Sequence, residues 1–281
     1  MNDRLHQHGG AVETSLLSVR EKEAFDRTDW LAAEEPLEIR VQGPQQAALS
    51  VAVTMRTPGH DDELAVGFLY TEGLVHSRTA IMSIEANSRR FDGQPCNTAT
   101  VRLAHPFDAA PLKRNFYATS SCGICGKASL EQIAVRCAPV APGPVIARSV
   151  IVALPCTLQQ TQQLFAQTGG LHATGLFDLT GRLLLLREDV GRHNAVDKVV
   201  GHQVLAGDLS LANHVLMVSG RLSFEIMQKA AMAQVPIVCA VSAPSSLAVQ
   251  VAQRFGVTIV GFLRGRHFNV YTHPERIALD C

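Results

Sequence analysis

Two cysteines stand three positions apart in a loop-like stretch near the middle of the chain. Cys122 and Cys125 belong to the run Thr119-Ser-Ser-Cys-Gly-Ile-Cys-Gly-Lys127, which precedes a segment with helical spacing. The start of a helix carries partial positive charge and Lys127 adds a cation, so a cysteine here favours the thiolate form. The serine and glycine neighbours offer no apolar pocket in which two thiols could simply be packed. Because thiolates attack sulfur, carbon and metals, a chemical role for this pair is predicted.

Two other chemistries use a CxxC pair. Such a pair is half of a four-ligand zinc site, but no second CxxC occurs and Cys96 and Cys137 are isolated, so no zinc or other metal is expected. A thioredoxin-like thiol-disulfide oxidoreductase fits the spacing, although the strand-to-helix turn expected near the N-terminus is not evident. The oxidoreductase therefore stays open as an alternative function.

The composition is that of a folded α/β protein, since 47% of the 281 residues are hydrophobic and 18% are charged. The formal net charge is zero, which argues against a sequence-independent grip on nucleic acid or on an anionic membrane. The longest apolar run, around residues 183–186, is too short to cross a bilayer. Seven cysteines are an odd number and make no disulfide framework in a chain of this length. We expect a cytoplasmic protein with reduced thiols and with neither nucleic-acid nor membrane partners.

Three segments are predicted along the chain. Residues 1–14 lack periodicity and are expected to form a disordered tail. Residues 15–143 form a smaller α+β domain that carries the CxxC loop, and residues 144–281 form the C-terminal domain. The boundary follows from the run Ala138-Pro-Val-Ala-Pro-Gly-Pro144, because three prolines and a glycine continue neither a helix nor a sheet.

Within the first domain, alternating residues on both sides of the Gly43-Pro44 turn predict a β-hairpin over residues 37–55. A helix is predicted after Pro58. Acidic residues cluster at its start, and we expect them to cap the helix and complement its dipole; they are Asp61, Asp62 and Glu63.

The C-terminal domain repeats the order strand, polar loop, helix. Its strands are short and continuously apolar, which predicts a mostly parallel sheet covered by helices on both faces. In such sheets ligands bind beyond the carboxyl ends of the strands. The loops at four successive strand ends carry Arg187, Arg192, His193 and Asn194; then Ser219, Gly220 and Arg221; then Ser242, Ser245 and Ser246; and lastly Arg264, Gly265, Arg266 and His267.

Serine, glycine and arginine at helix starts are suited to phosphate or pyrophosphate. The alternative is that Ser223, Ser245 and Ser246 are only N-caps and that the arginines are only solvated. The same chemistry at four strand ends favours a shared anion pocket.

Longer runs of sequence resemble the formate dehydrogenase accessory sulfurtransferases, the FdhD family. The resemblance extends over most of residues 35–277. The matching runs are Met55-Arg-Thr-Pro-Gly59, Glu63-Leu-Ala-Val-Gly-Phe68, Thr119 to Lys127, Thr168-Gly-Gly-Leu-His172, Arg187-Glu-Asp-Val-Gly-Arg-His-Asn-Ala-Val-Asp-Lys198, Val218-Ser-Gly-Arg221, Ser223-Phe-Glu225, Ala240-Val-Ser-Ala-Pro-Ser-Ser246 and Gly261 to Tyr271.

This resemblance implies a sulfur carrier. It would receive sulfur from a cysteine desulfurase as a persulfide on Cys122, and Cys125 could assist by forming a disulfide as sulfur leaves. The sulfur would pass to the molybdenum bis(molybdopterin guanine dinucleotide) cofactor before insertion into formate dehydrogenase. The resemblance also implies a homodimer, and it points to residues 262–267 for cofactor binding. The complete set of expected cofactor-binding residues is Phe262, Leu263, Arg264, Gly265, Arg266, His267, Arg192, His193, Ser219, Gly220, Arg221, Ser245 and Ser246.

The resemblance further implies a three-layer αβα, cytidine-deaminase-like fold for the C-terminal domain. Zinc deaminases need a His or Cys ligand with a neighbouring Glu at one helix start and a PCxxC run at the next. At the comparable helix starts this chain has Gly191-Arg-His-Asn194 and Val218-Ser-Gly-Arg221, so zinc and deamination are not expected. A chaperone that binds the cofactor without transferring sulfur is the remaining alternative to a sulfurtransferase.

Overall fold

The computed structural model of the chain describes residues 7–91, 94–108, 137–207 and 211–279. The α-helices in these ranges are α1 (Asp61–Thr71), α2 (Arg148–Thr161), α3 (Gln163–Thr168), α4 (Arg192–Ala206), α5 (Phe224–Met232) and α6 (Ser246–Phe255). The strands are β1 (Gln7–His8), β2 (Ala11–Arg20), β3 (Glu23–Ala32), β4 (Glu35–Gln42), β5 (Leu49–Arg56), β6 (Ile81–Phe91), β7 (Gln94–Leu103), β8 (Ile146–Ala147), β9 (His172–Asp178), β10 (Leu183–Asp189), β11 (His214–Val218), β12 (Ile237–Ala240), β13 (Thr258–Arg264), β14 (His267–Thr272) and β15 (Ile277–Ala278). The predicted mixed α/β class is confirmed.

The N-terminal region begins with a long ribbon. Strands β2 and β3 pair antiparallel over their full length, from Ala11 opposite Ala32 to Arg20 opposite Glu23. Strand β1 and the first four residues of β2 fall within residues 1–14, the stretch predicted to form a disordered tail. The ribbon turns at Glu21, which adopts a left-handed backbone with φ 53° and needs no glycine to do so.

A four-stranded sheet follows, with the strand order β5-β4-β7-β6. The predicted hairpin is present, because β4 and β5 pair antiparallel on the two sides of the Gly43 turn. The inward residues Leu37, Ile39 and Val101 are fully buried, and α1 packs on this sheet. Apolar and polar residues therefore alternate in β4 because one face of the sheet is buried and the other is not.

The C-terminal sheet has six strands in the order β10-β9-β11-β12-β13-β14. Only the pairings β11–β12 and β12–β13 are parallel and the other three are antiparallel, so the prediction of a mostly parallel sheet is wrong and the sheet is mixed. Two tight turns cause the difference. Asp178 accepts hydrogen bonds from the backbone N–H groups of Thr180 and Arg182, which closes the β9–β10 hairpin. Gly265, with φ +56°, closes the β13–β14 hairpin.

Helices cover both faces of the six-stranded sheet. On one face α4, α5 and α6 bury apolar side chains such as Val199, Met227 and Val251. On the other face α2 buries Ile151 and Leu154. This gives three layers, α, β and α. The specifically cytidine-deaminase-like layout stays a prediction.

The core on the first face continues into the N-terminal sheet. One apolar cluster contains Leu37 and Val101 from that sheet together with Val199 and Ile259 from the C-terminal region. Helices α1 and α4, which lie on opposite sides of the predicted boundary at residues 143 and 144, pack directly against each other. The boundary itself stays a prediction. Within the described ranges, no α-helix is both long enough and apolar enough to cross a membrane.

Buried charges join the same two regions. Lys229 Nζ lies 2.9 Å from Asp197 Oδ2 and donates to Thr71 Oγ1 at 3.0 Å. The second Asp197 oxygen accepts the Thr71 hydroxyl proton at 2.9 Å. Each polar atom of this trio is paired with another, which is the condition under which charges are tolerated in a core.

The acidic residues at the start of α1 lie in its first turn, as expected for side chains that complement the helix dipole, but they do not cap the helix. No side chain caps this helix. Asp61 instead accepts two hydrogen bonds of 2.8 Å from the buried guanidinium of Arg56, and Glu63 binds Arg187 across 124 residues of chain. The expectation that Asp61 and Glu63 serve as caps is wrong, because two arginines nearby in the fold offer these carboxylates stronger charge-assisted bonds.

Candidate functional site

Four strand ends meet at one edge of the six-stranded sheet. Strand β9 is antiparallel to both β10 and β11, so β10 runs in the same direction as β11, β12 and β13. The carboxyl ends of these four strands therefore lie together, as does the start of β9. The loops predicted to share a pocket all leave the sheet at this edge, where ligands of α/β proteins bind.

Backbone hydrogen bonds tie successive loops at this edge to one another. The Leu222 N–H donates to Ala243 O at 3.2 Å, and the Ser245 N–H donates to Leu222 O at 2.9 Å. The next link runs from the Phe262 N–H to Ser242 O at 3.1 Å. The loops after β11 and β12 and the end of β13 thus form one connected rim rather than three independent segments.

Three basic side chains lie near one another where β9 and β11 meet α4, and they are His172, Arg192 and Arg221. A Cβ atom added to Gly220 would lie 3.3 Å from His172 Nδ1 and 3.9 Å from Arg192 Cδ, so the glycine backbone lies directly against both. The half-buried Arg192 has its Nε atom buried without a hydrogen-bond partner. Burial lowers the pKa of His172, and the charges of Arg192, His193 and Arg221 lower it further against the opposing effect of Asp189. The imidazole is therefore neutral at neutral pH.

Ser219 fixes the loop that presents these groups. Its backbone N–H donates to Ala173 O at 3.0 Å, and its hydroxyl accepts from the Ala173 N–H at 2.8 Å. This bond positions the Ser219 side chain and uses one acceptor site of its hydroxyl, whose proton can still be donated. A ligand at this edge would meet this hydroxyl and the peptide groups of Gly220 and Arg221.

His193 forms a separate pair at the start of α5. Its Nε2 atom lies 2.7 Å from Glu225 Oε2 and 3.1 Å from Ser223 Oγ. The hydrogen bond from His193 lowers the pKa of the Glu225 carboxyl and outweighs its partial burial. Because one nitrogen contacts both the hydroxyl and the carboxylate, this arrangement is not a relay in which a carboxylate orients the far side of a histidine.

A buried ion pair holds the start of α4 beneath this edge. Asp189 Oδ2 lies 2.7 Å from Lys198 Nζ, and both side chains are almost fully buried. Asp189 also accepts from the backbone of Thr57 at 3.2 Å, from the backbone of Gly191 at 2.8 Å and from Asn194 Nδ2 at 3.0 Å. Its acceptor atoms are used by these partners, and no hydrogen bond or ion pair joins it to Arg192 in the described ranges.

Two of the three serines named in the N-cap alternative cap helices. Ser223 accepts from the Ile226 N–H, and Ser245 accepts from the Ala248 N–H at 3.2 Å. The N-cap alternative holds for both residues. Ser246 is the first residue of α6 and lies beside the Ser245 cap.

The predicted segment Phe262–His267 spans the end of β13 and the turn into β14. Phe262 has a left-handed backbone with φ 52° and a phenyl ring that is 41% exposed. Such a conformation is costly for a non-glycine residue and is found preferentially at functional sites. Leu263 is fully buried in the core, so a ligand could reach only its backbone. Arg264 Nε donates to Val241 O, while Arg148 donates to the Arg266 carbonyl.

The cysteine pair Cys122 and Cys125 lies outside the described residues. Within the described part of the chain, no group of three His, Cys, Asp or Glu side chains could hold a metal ion. Cys239 is fully buried, which raises the pKa of its thiol far above the ordinary value and makes it unreactive.

Known proteins match this chain over nearly its whole length. The model of the FdhD/NarQ family matches residues 32–278. The chain belongs to the FdhD/NarQ family. A protein named sulfur carrier protein FdhD from Mycobacterium tuberculosis is 47% identical over 264 residues, which cover 91% of this chain and 94% of that protein. A protein of the same name from Thermoplasma volcanium is 43% identical over 283 residues, which cover 99% and 100% of the two chains.

The fold also matches a solved structure. A crystal structure of a protein described as a formate dehydrogenase accessory protein from Desulfotalea psychrophila superposes with a TM-score of 0.72 at 26% identity. The superposition covers 95% of this chain and 99% of the other. The solved structure therefore shares the architecture described above, and the match includes both sheets.

Several sequence runs that resemble the FdhD/NarQ family make contact in the fold. The run that contains Thr57 docks on the run that contains Asp189 and Lys198. Among the predicted cofactor residues, Arg192, Gly220 and Arg221 come together. In the described part of the chain, no hydrogen bond or ion pair links them to the side chains of residues 262–267, and the loop hydrogen bonds provide the connection.

Sequence reasoning did not assign His172 or Glu225 to the site. Both lie inside runs that resemble the family, and that was the only signal available for them. His172 stands alone at the start of a strand, and Glu225 lies in the first turn of a helix, where an acidic residue is ordinary.

Proposed function

We propose that this chain is a sulfur carrier protein that acts in the maturation of formate dehydrogenase, its client enzyme. One observation carries the proposal: the family match over residues 32–278 includes Cys122 and Cys125 in their Ser/Gly-rich context. Relatives between 41% and 49% identical are named sulfur carrier proteins, and the related crystal structure is described as a formate dehydrogenase accessory protein. A cytoplasmic location and a homodimer belong to the same proposal.

In the first proposed step, the Cys122 thiolate attacks the outer sulfur of a persulfide on a cysteine desulfurase. A sulfur–sulfur bond forms at Cys122 as the donor's bond breaks, and the desulfurase cysteine leaves as a thiolate. Nothing is oxidised or reduced overall in this exchange. The chain then acts as a sulfurtransferase through the Cys122 persulfide.

In the second proposed step, the Cys125 thiolate attacks the inner sulfur of that persulfide. A Cys122–Cys125 disulfide forms, and the outer sulfur leaves as sulfide with the electron pair of the broken bond. The two cysteines are oxidised by two electrons and the sulfur is reduced by two. A cellular thiol must then reduce the disulfide before the next cycle.

The proposed sulfur acceptor is a substrate, the molybdenum bis(molybdopterin guanine dinucleotide) cofactor. The residues at the sheet edge fit the anionic part of such a molecule. Arg192 Nε is buried without a partner, and Gly220 lets a ligand approach the backbone without meeting a Cβ atom. Phe262 offers an exposed aromatic ring farther along the same rim.

The decisive experiment measures the intact mass of the protein after incubation with a cysteine desulfurase and cysteine, with and without reductant. We expect the wild type to gain one sulfur atom that reductant removes, and the Cys122→Ala variant to gain none. Cys156→Ala, which alters an exposed cysteine elsewhere, is the matched control and should behave as the wild type. Equal gains in the wild type and in Cys122→Ala contradict a Cys122 carrier.

A second candidate function is a chaperone that binds the cofactor without transferring sulfur. The unpaired basic cluster favours it, because that cluster does not depend on the cysteines. No mass gain while the desulfurase is active, together with intact guanine nucleotide binding, would support the chaperone. A reversible Cys122–Cys125 disulfide without sulfane sulfur would instead support the oxidoreductase.

A further inference from the structure

We propose that strand β3 of the N-terminal ribbon binds a second copy of this chain, by pairing antiparallel with the partner's β3 around a two-fold axis at Thr28. The inference rests on the homodimer of the proposed function and deepens it, because it names the contact surface and its register. Almost the whole ribbon precedes residues 32–278, the range that the family model matches.

The outer half of the ribbon is exposed to solvent. Helix α3 packs against the base, where Leu164 lies beside Gly10, but every residue from Val19 to Thr28 is exposed. A ribbon of two strands is only marginally stable in water, and three or more strands are needed for independent stability. Pairing of β3 with the β3 strand of a second copy turns two such ribbons into one sheet of at least four strands.

Strand β3 offers an open edge for that pairing. In the described ranges the strand order is β1-β2-β3, so β3 lies at the end of its sheet, whereas β1 covers the start of β2 at Ala11 and Val12. The outer edge of an end strand presents backbone N–H and C=O groups that another strand can bind. Strand β3 contains no proline and pairs with β2 without a bulge, so its backbone has neither of these two obstacles to a further strand.

Charge selects the register of the pair. In a two-fold arrangement the residue on the axis lies opposite its own copy, so Asp26, Arg27 or Asp29 on the axis would bring like charges together and destabilise the strands. Thr28 on the axis avoids this conflict. It places Arg27 opposite Asp29 of the partner subunit, and symmetry repeats the pair on the other side of the axis. Arg27 and Asp29 form an ion pair of 2.8 Å within β3, and their side chains, 44% and 40% exposed, are accessible to a second copy.

The same register brings apolar side chains together. Phe25 and Leu31 lie on one face of β3 because an even number of residues separates them, and they are 39% and 51% exposed. With Thr28 on the axis, Phe25 lies opposite Leu31 of the partner subunit, so both side chains lose exposed surface. The paired stretch covers residues 24–32, whereas an axis at Phe25 or Trp30 would leave about half of β3 unpaired.

Analytical ultracentrifugation of the wild type and two charge-reversed variants tests the surface. We expect the wild type to sediment as a dimer, and Arg27→Glu and Asp29→Arg each to weaken dimerisation about tenfold, because either change creates two pairs of like charges. Arg102→Glu is the matched control, since it reverses an exposed arginine that pairs with Glu85 in the other N-terminal sheet, and it should dimerise as the wild type does. Unchanged dimerisation in both ribbon variants overturns the β3 interface.

A mixture of the two ribbon variants tests the register. In a mixed dimer the reversed charge of one chain faces the reversed charge of the other, and the two unchanged side chains face each other, so both pairs again join opposite charges. Positions 27 and 29 carry like charges within each variant chain, so an ion pair inside one chain cannot explain a recovery. We expect Arg27→Glu and Asp29→Arg to dimerise together with about the wild-type affinity. A mixture that dimerises no better than its components overturns the axis at Thr28.

Hydrogen–deuterium exchange of the wild type locates the interface without any variant. We expect peptides from β3 to exchange more slowly at protein concentrations that favour the dimer than at concentrations that favour the monomer, because the new strand pair protects their amides. Peptides from α6, which lies in the C-terminal region, should exchange equally at both concentrations. Equal exchange of the β3 peptides at the two concentrations overturns the proposed pairing.

Dimerisation and sulfur transfer have separate readouts. A monomeric wild type overturns both the homodimer and this surface, whereas a dimer that survives Arg27→Glu and Asp29→Arg overturns the surface alone. The persulfide mass gain at Cys122 should be normal in Arg27→Glu, since the first sulfur step uses no ribbon residue. A wild type that gains no sulfur while the mixed variants still dimerise overturns the sulfur carrier function and supports this interface.

Discussion

Gly67 of α1 and Gly201 of α4 lie backbone to backbone where the two helices cross. A Cβ atom on Gly201 would come within 2.7 Å of the Gly67 nitrogen and 1.8 Å of the Glu63 carbonyl oxygen. A Cβ atom on Gly67 would come within 1.8 Å of the Asp197 carbonyl oxygen. The helices approach this closely because neither carries a side chain at the crossing, and the neighbouring polar pairs depend on that approach.

Replacing either glycine with alanine should therefore destabilise the protein. We expect Gly67→Ala and Gly201→Ala to lower the free energy of unfolding by about 3 kcal/mol, because backbone atoms cannot move aside as a flexible side chain can. The better helix propensity of alanine offsets only about 1 kcal/mol. Urea denaturation measures the effect. Gly170→Ala is the control and should be close to the wild type, because its Cβ would lie 3.3 Å from the Ala32 Cβ atom and no closer than 3.9 Å to a backbone atom, the Thr168 oxygen.

Breaking the buried pair Asp189–Lys198 should have a comparable effect. Lys198→Met leaves the Asp189 carboxylate buried and without its cation, and we expect a loss of about 3 to 5 kcal/mol in the free energy of unfolding. The double variant Asp189→Asn, Lys198→Met should lose less than the sum of the single changes. Additive losses in a double-mutant cycle would show that the two side chains are not coupled.

Glu63 should make stability dependent on pH in the acid range. Burial alone would raise the pKa of its carboxyl, but hydrogen bonds from Arg187, His60 and His202 outweigh burial and hold the pKa far below 4.5. A lowered pKa contributes stability above the unfolded value, and that contribution is lost as the pH falls toward the folded value. The stability difference between wild type and Glu63→Gln should shrink as the pH is lowered from 7 to 3. A constant difference would argue against the ionised pair.

The pair His193–Glu225 offers a spectroscopic test of the sheet edge. Because His193 is the main cause of the lowered Glu225 pKa, His193→Ala should move the carboxyl titration of Glu225 upward toward the ordinary value of 4.5. Carboxyl ¹³C NMR follows this titration directly. His76→Ala, at an exposed histidine outside this pair, should leave it unchanged. An unshifted Glu225 titration in His193→Ala would mean that the two side chains do not pair in solution.

Cys125→Ser should separate the two proposed sulfur steps. The variant should still acquire the reductant-sensitive sulfur at Cys122, since the first step does not use Cys125. It should release that sulfur as sulfide more slowly than the wild type, because no internal thiolate can attack the persulfide. Sulfide release after desulfurase is removed is the readout. Equal release rates would assign no role to Cys125 in this step.

The sequence predicted those parts of the fold that local patterns determine. The hairpin around Gly43, the helix after Pro58 and the alternating C-terminal elements each follow from spacing within one segment. The β2–β3 ribbon was missed because solvent reaches both of its faces over much of its length, so its sequence lacks the alternation of a half-buried strand. The β9–β10 pairing was missed because the prediction of strand direction followed the repeat of strands and helices and not the short Thr180-Gly181 turn, which leaves no room for a helix between the two strands.

Local patterns also predicted part of the site. The order of strands and helices predicts that four strand ends meet at one edge of the sheet, and Arg192 and Arg221 lie at that edge. Which side chains meet across the fold could not follow from local patterns. Glu63 and Arg187 are 124 residues apart, and Gly67 has no sequence feature that names Gly201 as its neighbour. Phe262 was included because of the family resemblance, and its left-handed backbone became apparent only in the fold.

The long separation in sequence between Glu63 and Arg187 also affects folding during synthesis, because α1 is made well before its partners. Ribosomes add roughly 5 to 20 residues per second, so α1 is synthesised roughly 6 to 25 seconds before a partner 124 residues later. During that interval Leu64 and Leu69, fully covered in the finished protein, have no C-terminal surface to pack on. Nascent chains of this protein should therefore bind a holdase chaperone until α4 has been translated, and release should coincide with its emergence.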